Sequence, residues 1–170
     1  MSLHPSIFSS SSEEWSTPVA LFEQLDSEFG PFTLDACATP TNAKCGRFFT
    51  KVEDGLVQPW APHRVFVNPP YGRQVGRWLE KAVCESERGA LVVCLLPVRT
   101  DTAWFHEIVE PHATEIRFLR GRLTFGDAPH PAPFPSAIVV FAPRRHGPAI
   151  SITSDRSRAR RRMTHATSRV

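Results

Sequence analysis

The residues with the clearest chemical potential are Asn68-Pro69-Pro70-Tyr71, which follow the short apolar segment Val65-Phe66-Val67. Ligands of open α/β sheets bind beyond the carboxyl ends of the strands. The two prolines carry no N–H, so the local backbone offers acceptors only. The Asn68 side-chain oxygen and the Pro69 carbonyl can each accept one hydrogen of an exocyclic amine, whose lone pair then faces an electrophilic methyl group. Tyr71 offers a ring face for stacking, although the same tetrapeptide is also compatible with a strand followed by a tight turn.

Two aspartates are further candidates for ligand binding. Asp35 ends the apolar segment Phe32-Thr33-Leu34 and precedes small residues that allow a ligand to approach the backbone. A carboxylate at this position suits a cationic or hydroxyl-bearing cofactor group, and the alternative is a helix or turn cap. Asp54 precedes Gly55 and is by itself a typical turn former, so it is the weaker candidate.

These residues stand in an ordered set of motifs that resembles the bacteriophage-type DNA N6-adenine methyltransferases, a Dam-like family that uses S-adenosylmethionine. The resemblance spans roughly residues 14–142, about three-quarters of the chain. Its motifs are, in chain order, Glu14-Trp15-Ser16-Thr17-Pro18, Phe32-Thr33-Leu34-Asp35-Ala36, Asn42-Ala43-Lys44-Cys45, Asp54-Gly55-Leu56, Val67-Asn68-Pro69-Pro70-Tyr71-Gly72, LLPVRTDTAWFH at 95–106, RGRLTFG at 120–126 and PFPSAIVVF at 133–141.

The resemblance implies a role for each of these segments. Residues 68–71 match the amino-methyltransferase motif that holds a flipped base. The implied cofactor-binding residues are Trp15, Thr17 and Pro18 near the methionine part, Asp35, Ala36 and Cys37 at the end of the first strand, and Asp54 near the adenosine. The chain departs from the wider methyltransferase class in one respect, because LDACATP stands where a glycine-rich loop is usual. The methionine carboxylate must therefore be held differently.

The implied reaction is methyl transfer from S-adenosylmethionine to the N6 amine of an adenine flipped out of double-stranded DNA, with no metal required. Arg99, Arg120 and Arg122 lie after or within predicted strands near the cleft and are candidates for phosphate contacts. Surface solubility, or ion pairing with Asp101 or Asp127, is the alternative. Two other functions stay open at this point: methylation of an RNA amine or protein glutamine by the same motif, and a catalytically inactive nucleic-acid-binding protein.

The elements that must position these residues can be predicted from periodicity and turn signals. Thr17-Pro18 predicts a helix start, with Thr17 as the cap, and Gly30-Pro31 its end. A second helix is predicted over 74–86, a buried strand over 90–96, a helix capped by Asp101, and strands over 115–125 and 136–142. Alternating strands and helices predict an α/β fold. We expect a reduced Rossmann-like S-adenosylmethionine-dependent methyltransferase fold, mostly parallel, with helices on both faces and an antiparallel hairpin at one edge.

Composition favours a soluble protein with one folded domain. The chain has 170 residues, of which 41% are hydrophobic and 22% charged, and no apolar run approaches the ~20 residues that span a bilayer. The first residues lack the features of a secretory signal. The four cysteines form no CxxC pair and the histidines show no metal-ligand spacing, which favours reduced thiols and no metal. The favoured compartment is the cytoplasm, and we expect a monomer. The resemblance described above further implies a bacterial host and a phage- or prophage-encoded protein.

The net charge of +3 hides an asymmetry along the chain. Residues 1–143 carry 12 Lys and Arg against 16 Asp and Glu, whereas residues 144–170 carry 8 against 1. The predicted organisation is a disordered lead-in at 1–14, a methyltransferase domain at 15–143 and a basic, disordered tail at 144–170. This tail is either an arm attracted to nucleic-acid phosphate or a solvated end with no specific role.

Overall fold

A six-stranded mixed sheet with helices packed on both faces forms the centre of this α/β protein. The computed structural model describes residues 15–143 and the backbone of 149–153. The elements are, in chain order, α1 (Val19–Phe29), β1 (Leu34–Asp35), β2 (Arg64–Val67), α2 (Val75–Glu87), β3 (Leu91–Pro97), a π-helical turn (Phe105–Val109) that continues into α3 (Glu110–His112), β4 (Glu115–Leu119), β5 (Ser136–Phe141) and β6 (Ala149–Thr153). The strand order is β1-β2-β3-β5-β4-β6.

The strands β1, β2 and β3 are parallel to one another and form one end of the sheet. Leu34 pairs with Val65 and Asp35 with Phe66, while Val67 pairs with Cys94. All three strands therefore end at the same edge of the sheet. Since Asp35 lies opposite Phe66, it is two positions from Asn68 along the neighbouring strand.

The antiparallel strand pair predicted for the edge of the sheet is present, but it does not lie at the edge. β5 lies between β3 and β4 and is antiparallel to both, as expected of a hairpin partner, but β4 is not an edge strand because β6 pairs with it in parallel. β6 falls inside the segment 144–170, for which we expected disorder. Its sequence AISIT alternates and is rich in β-branched residues, which favours a strand. β4 is also shorter than predicted, since Gly121 has a φ of +84° just beyond its end. Residues 1–14, 144–148 and 154–170 lie outside the described residues.

The helices lie close to their predicted positions, with two differences in capping. α1 begins at Val19, one residue later than expected, and Thr17 does not cap it, because its hydroxyl is bound elsewhere. Asp101 does not cap the helix that follows it; its carboxylate pairs with Arg99 at 3.3 Å, and the helix is a π-helical turn followed by three α-helical residues. α1 ends as predicted at Gly30, whose N–H donates to the Asp26 carbonyl at 2.9 Å.

Two hydrophobic clusters cover the two faces of the sheet. α2, with Trp78 and Leu79 buried, packs on one face together with the segment 104–113. α1 and the loop 123–134 pack on the other. Cys94 is 1% exposed within the first cluster, as expected of a small buried hydrophobe, and burial raises the pKa of its thiol. The four cysteines are free thiols.

Candidate functional site

A cavity of about 970 Å³ opens where the parallel strands end. Its wall includes Asp35 from the end of β1 and Asn68 from the end of β2, because the register of these strands brings both to one edge. The residues that line it are Trp15, Ser16, Thr17, Asp35, Ala36, Cys37, Ala38, Thr39, Asn42, Lys44, Phe49, Thr50, Lys51, Asp54, Gly55, Leu56, Phe66, Asn68, Pro70, Gly72, Arg73, Gln74, Arg77 and Trp78. A smaller cavity of about 310 Å³ adjoins it and is lined in part by Ser16, Thr17, Pro18 and Lys44.

The side-chain amide of Asn68 is held in one orientation. Its Nδ2 donates to the Trp15 carbonyl and, at 3.0 Å, to the Thr17 hydroxyl. A carbonyl can only accept, so the atom facing it must be the nitrogen. Oδ1 therefore points the other way, where it is buried and has no hydrogen-bond partner among the described residues. An unsatisfied buried acceptor costs about 1–3 kcal/mol, and because Asn68 lies at the cavity wall, this oxygen is a candidate to bind a ligand.

The segment that orients Asn68 is itself pinned by the loop between β4 and β5. The Ser16 carbonyl accepts a hydrogen bond from the N–H of Gly126 at 2.8 Å. Gly126 has a φ of +50°, and a Cβ there would lie 3.3 Å from the Ser16 Cβ. A side chain at position 126 would therefore be strained and crowded. Thr17 is 4% exposed, so its hydroxyl is fixed as well.

Tyr71 packs into an aromatic cluster rather than lining the cavity. Its ring stacks at 6.5 Å on Trp15 and meets Phe125 and Phe134 edge-on at 6.2 and 5.5 Å. Its hydroxyl donates to the Leu95 carbonyl at 3.4 Å, and burial raises its pKa. Of this cluster, Trp15 is the member that forms part of the cavity wall. We had expected Tyr71 to offer the stacking face; the structure brings Trp15 to the cavity and places Tyr71 behind it.

Asp35 is a buried carboxylate at the cavity wall, 3% exposed. It is enclosed between β2 and the segment 47–49, since its N–H donates to the Arg47 carbonyl and its carbonyl accepts from Phe49. The side chain accepts backbone N–H bonds from Cys37 at 3.3 Å and Lys44 at 3.0 Å. Burial raises the pKa of Asp35 to about 6, and these two hydrogen bonds and the Lys44 charge lower it by less.

Part of the cavity wall is a tight loop at residues 54–56. Asp54 adopts a φ of +51°, and its carboxylate accepts the N–H of Leu56 at 3.1 Å, which explains the aspartate-glycine pair without a ligand. Gly55 lies so close to β1 that a Cβ would sit 2.1 Å from the Ala36 carbonyl oxygen. The Gly55 carbonyl accepts the Trp60 indole N–H at 2.8 Å.

A buried ion network supports this wall from behind. Glu85, with no exposed surface, accepts the N–H groups of Trp60 and Ala61 at 2.8 and 2.9 Å. It also pairs with Lys81 at 2.8 Å and Arg88 at 3.0 Å. Although burial raises the pKa of Glu85, the hydrogen bonds and the Lys81 charge outweigh it and hold the pKa at about 2. Glu85 is thus a fully satisfied structural carboxylate, which sequence analysis did not single out.

Four cations line the cavity, and none of them forms an ion pair within 4 Å with another described residue. They are Lys44, Lys51, Arg73 and Arg77. Sequence analysis missed all four as site residues, although Lys44 belongs to a quoted motif and Arg73 and Arg77 follow Tyr71 at helical spacing. The predicted DNA contacts Arg99, Arg120 and Arg122 are not in the cavity wall, and Arg99 pairs with Asp101.

Two other features are absent from the described residues. Within 15–143, no group of three or more His, Cys, Asp or Glu side chains is arranged to hold a metal ion. No helix of this part is both long and apolar enough to span a membrane.

Comparison with known proteins decides which family this site belongs to. The family model for DNA N-6-adenine-methyltransferase (Dam) matches residues 6–165. The chain belongs to this family. The match covers the cavity and all the motifs quoted above, so the resemblance inferred from those motifs is confirmed.

Two relatives each match part of the sequence of this Dam family member. A protein of Escherichia phage T1 named "DNA N-6-adenine-methyltransferase" is 33% identical over 111 residues, which are 65% of this chain and 46% of the phage protein. A protein of Escherichia coli (strain K12) named "Putative methyltransferase YfdM" is 34% identical over 65 residues, 35% of this chain and 71% of that protein. The chain thus spans about half the length of the phage T1 relative.

Proposed function

We propose that this protein transfers a methyl group from S-adenosylmethionine to the N6 amine of adenine in double-stranded DNA. The observation that carries the proposal is the oriented, unsatisfied oxygen of Asn68 at the end of β2. Membership of the Dam family and the phage T1 relative support it. They do not favour an RNA, protein-glutamine or purely binding function. We further propose that the protein acts as a monomer in the cytoplasm of a bacterial host and is phage- or prophage-encoded.

The fold we propose is a reduced Rossmann-like methyltransferase fold. Three features support it: the parallel strands β1, β2 and β3, the helices on both faces of the sheet, and the cavity at the carboxyl ends of these strands. Ligands of doubly wound sheets bind in this position.

The cavity fits S-adenosylmethionine in size and charge. Its volume of about 970 Å³ is at the upper end of the range for small-molecule sites, which leaves room for a base beside a cofactor. Asp35 is a buried carboxylate with no cation within 4 Å among the described residues, which suits the cationic cofactor. When bound, the cofactor supplies a methyl group made electrophilic by its sulfonium. We assign its binding to Asp35, Ala36, Cys37 and Asp54, with Trp15, Thr17 and Pro18 lining the methionine end, where the Thr17 hydroxyl is engaged by Asn68 rather than by the cofactor.

The chain's own contribution to the reaction is to hold the target amine. Asn68 Oδ1 accepts one N6 hydrogen and the Pro69 carbonyl accepts the other, which draws the nitrogen towards tetrahedral geometry. Because Trp15 and Thr17 hold the Asn68 nitrogen, the oxygen need not reorganise when the base arrives. Pro69 and Pro70 keep this backbone rigid.

A flipped adenine also needs a stacking surface and a hold on the DNA backbone. Extrusion costs a few kcal/mol, which base–aromatic stacking of about 1–3 kcal/mol offsets in part. We propose that Trp15 provides that surface, with Tyr71 supporting it from behind. For the phosphates we propose Arg73 and Arg77, which line the cavity just beyond the motif, in addition to Arg99, Arg120 and Arg122 outside it.

The experiment that tests the proposal follows labelled methyl groups from S-adenosylmethionine into DNA, RNA or protein extract. We expect label in the N6 of adenine in DNA. Asn68→Ala should reduce turnover at least 10²–10³-fold, as loss of an oriented transition-state contact does, and leave the affinity for S-adenosylhomocysteine within about twofold. Gln24→Ala removes an exposed amide of α1 outside the cavity and is the matched control. Label in RNA or protein, or loss of cofactor binding in Asn68→Ala, would overturn the assignment.

A further inference from the structure

Lys44 is a half-buried cation that lines both the main cavity and the smaller one beside it. Among the residues described, its ammonium has no hydrogen bond and no ion pair within 4 Å. A lysine that is partly withdrawn from water gains from an anionic partner. Its surroundings are those of the methionine end proposed above, because Ser16 and Thr17 line the same two cavities.

The loop from 39 to 44 fixes this position. The Asn42 side-chain oxygen accepts the N–H of Thr39 at 2.7 Å, and the Thr39 carbonyl accepts the N–H groups of Asn42 and Ala43. The loop then returns to β1, where the N–H of Lys44 donates to Asp35 Oδ2 at 3.0 Å. One carboxylate and one ammonium are thereby brought to the same cavity wall with no ion pair between them within 4 Å, although the Lys44 charge lowers the pKa of Asp35. Such an arrangement complements a zwitterion.

The four N–H groups that directly follow β1, at residues 36–39, are all engaged within the protein. The N–H of Ala36 donates to the Phe66 carbonyl and that of Ala38 to the Phe49 carbonyl, both at 3.0 Å. The N–H of Cys37 donates to Asp35 Oδ1 and that of Thr39 to Asn42. A carboxylate bound beside these residues therefore needs other partners, of which a side-chain cation is the strongest type.

Of the four cavity cations, Lys44 is the one that meets these conditions. Lys51 precedes the 54–56 loop in the chain, Arg73 lies just before α2, and Arg77 lies in its first turn. Neither these arginines nor Lys51 is among the residues that line the smaller cavity.

We propose that Lys44 binds the carboxylate of the cofactor's methionine moiety, opposite Asp35. The inference rests on the proposed function. In it, Lys44 takes the place of the glycine-rich loop that the chain lacks.

The test compares two ligands by calorimetry at a fixed salt concentration. S-adenosylhomocysteine carries the amino-acid end, and 5′-methylthioadenosine lacks it. A charge-assisted hydrogen bond corresponds to about a 10- to 100-fold change in affinity. Lys44→Met should weaken the affinity for S-adenosylhomocysteine by that factor and leave the affinity for 5′-methylthioadenosine within about twofold of the unaltered protein. Lys44→Arg should recover most of the loss. Lys51→Met is the matched control and should not discriminate between the two ligands.

Each other result counts against the inference in a different way. Equal weakening of both ligands by Lys44→Met would show that Lys44 only shapes the loop, and circular dichroism would confirm that the variant is folded. If Lys51→Met instead weakened only the affinity for S-adenosylhomocysteine, the carboxylate would be assigned to Lys51 rather than to Lys44. If the unaltered protein bound neither ligand, the proposed function itself would fail. If it bound both and Lys44→Met changed nothing, the inference alone would fail.

Discussion

Replacing Thr17 by valine tests whether this residue acts on the cofactor or on Asn68. Sequence reasoning assigns Thr17 to the methionine part of the cofactor. In the structure its hydroxyl accepts a hydrogen bond from Asn68 Nδ2 at 3.0 Å, and its side chain is almost fully buried. Valine has nearly the same shape and removes the acceptor. We therefore expect Thr17→Val to loosen the orientation of Asn68 rather than to weaken cofactor binding.

The expected loss of activity depends on the hydrogen bonds that Asn68 keeps after the substitution. After the substitution, Nδ2 still donates to the Trp15 carbonyl, so one of its two acceptors is lost. The net contribution of one neutral hydrogen bond is about 0.5–1.5 kcal/mol, which corresponds to a factor of roughly 2 to 10. We expect kcat to fall by about that factor, far less than in Asn68→Ala.

The assay is steady-state methylation at saturating DNA and S-adenosylmethionine, together with calorimetry of S-adenosylhomocysteine. kcat should fall in Thr17→Val and return in Thr17→Ser, which keeps the hydroxyl. The dissociation constant of S-adenosylhomocysteine should stay within about twofold in both variants. An unchanged kcat with weakened cofactor binding would refute the positioning role and restore the cofactor role. A Thr17→Ser variant as slow as Thr17→Val would point to the methyl group instead.

Three further predictions concern charge. Because the pKa of Asp35 is raised to about 6, its contribution favours the folded state below pH 4 and is lost as pH rises through 6; urea unfolding of the protein against Asp35→Asn should show a difference of up to about 3 kcal/mol across that range. Glu85→Gln should lower the free energy of unfolding by about 3 kcal/mol, because it leaves buried donors and Lys81 without their carboxylate. The double substitution Arg73→Gln/Arg77→Gln should reduce the slope of log K against log[salt] for duplex DNA by up to about 2. Deletion of 154–170, which carries six arginines and one aspartate, leaves β6 intact and measures separately what the tail contributes to this slope.

The elements that could be predicted from sequence are those with an unambiguous burial pattern. β3 is apolar along its whole length, and α2 repeats its apolar residues at helical spacing, so tertiary contacts agree with local preference. The end of β2 was predictable because Asn68-Pro69 cannot continue a strand. The prediction that the hairpin lies at the edge was wrong because β6 was not predicted. Its five residues alternate like a strand, but they lie in a segment whose basic composition is typical of disorder.

The site was predictable in its strand ends but not in its side-chain partners. Parallel strands place Asp35 and Asn68 at one edge, and no side-chain detail is needed for that inference. The bond from Asn68 to Thr17 joins residues 51 positions apart, and a capping hydroxyl before a proline is locally indistinguishable from one used elsewhere. The packing of Tyr71 behind Trp15 likewise depends on Phe125 and Phe134, which come from a distant loop.

Two buried carboxylates show how the cavity differs from the rest of the interior. Glu85 is satisfied by two backbone N–H groups and two cations, and its pKa is lowered to about 2. Asp35 has two backbone N–H bonds but no ion pair with a described residue, and burial raises its pKa to about 6. The chain can therefore stabilise a buried carboxylate fully where it serves the fold. It leaves Asp35 and the Asn68 oxygen under-satisfied on the wall of one cavity, which is where a cationic cofactor and an amine would supply what the protein does not.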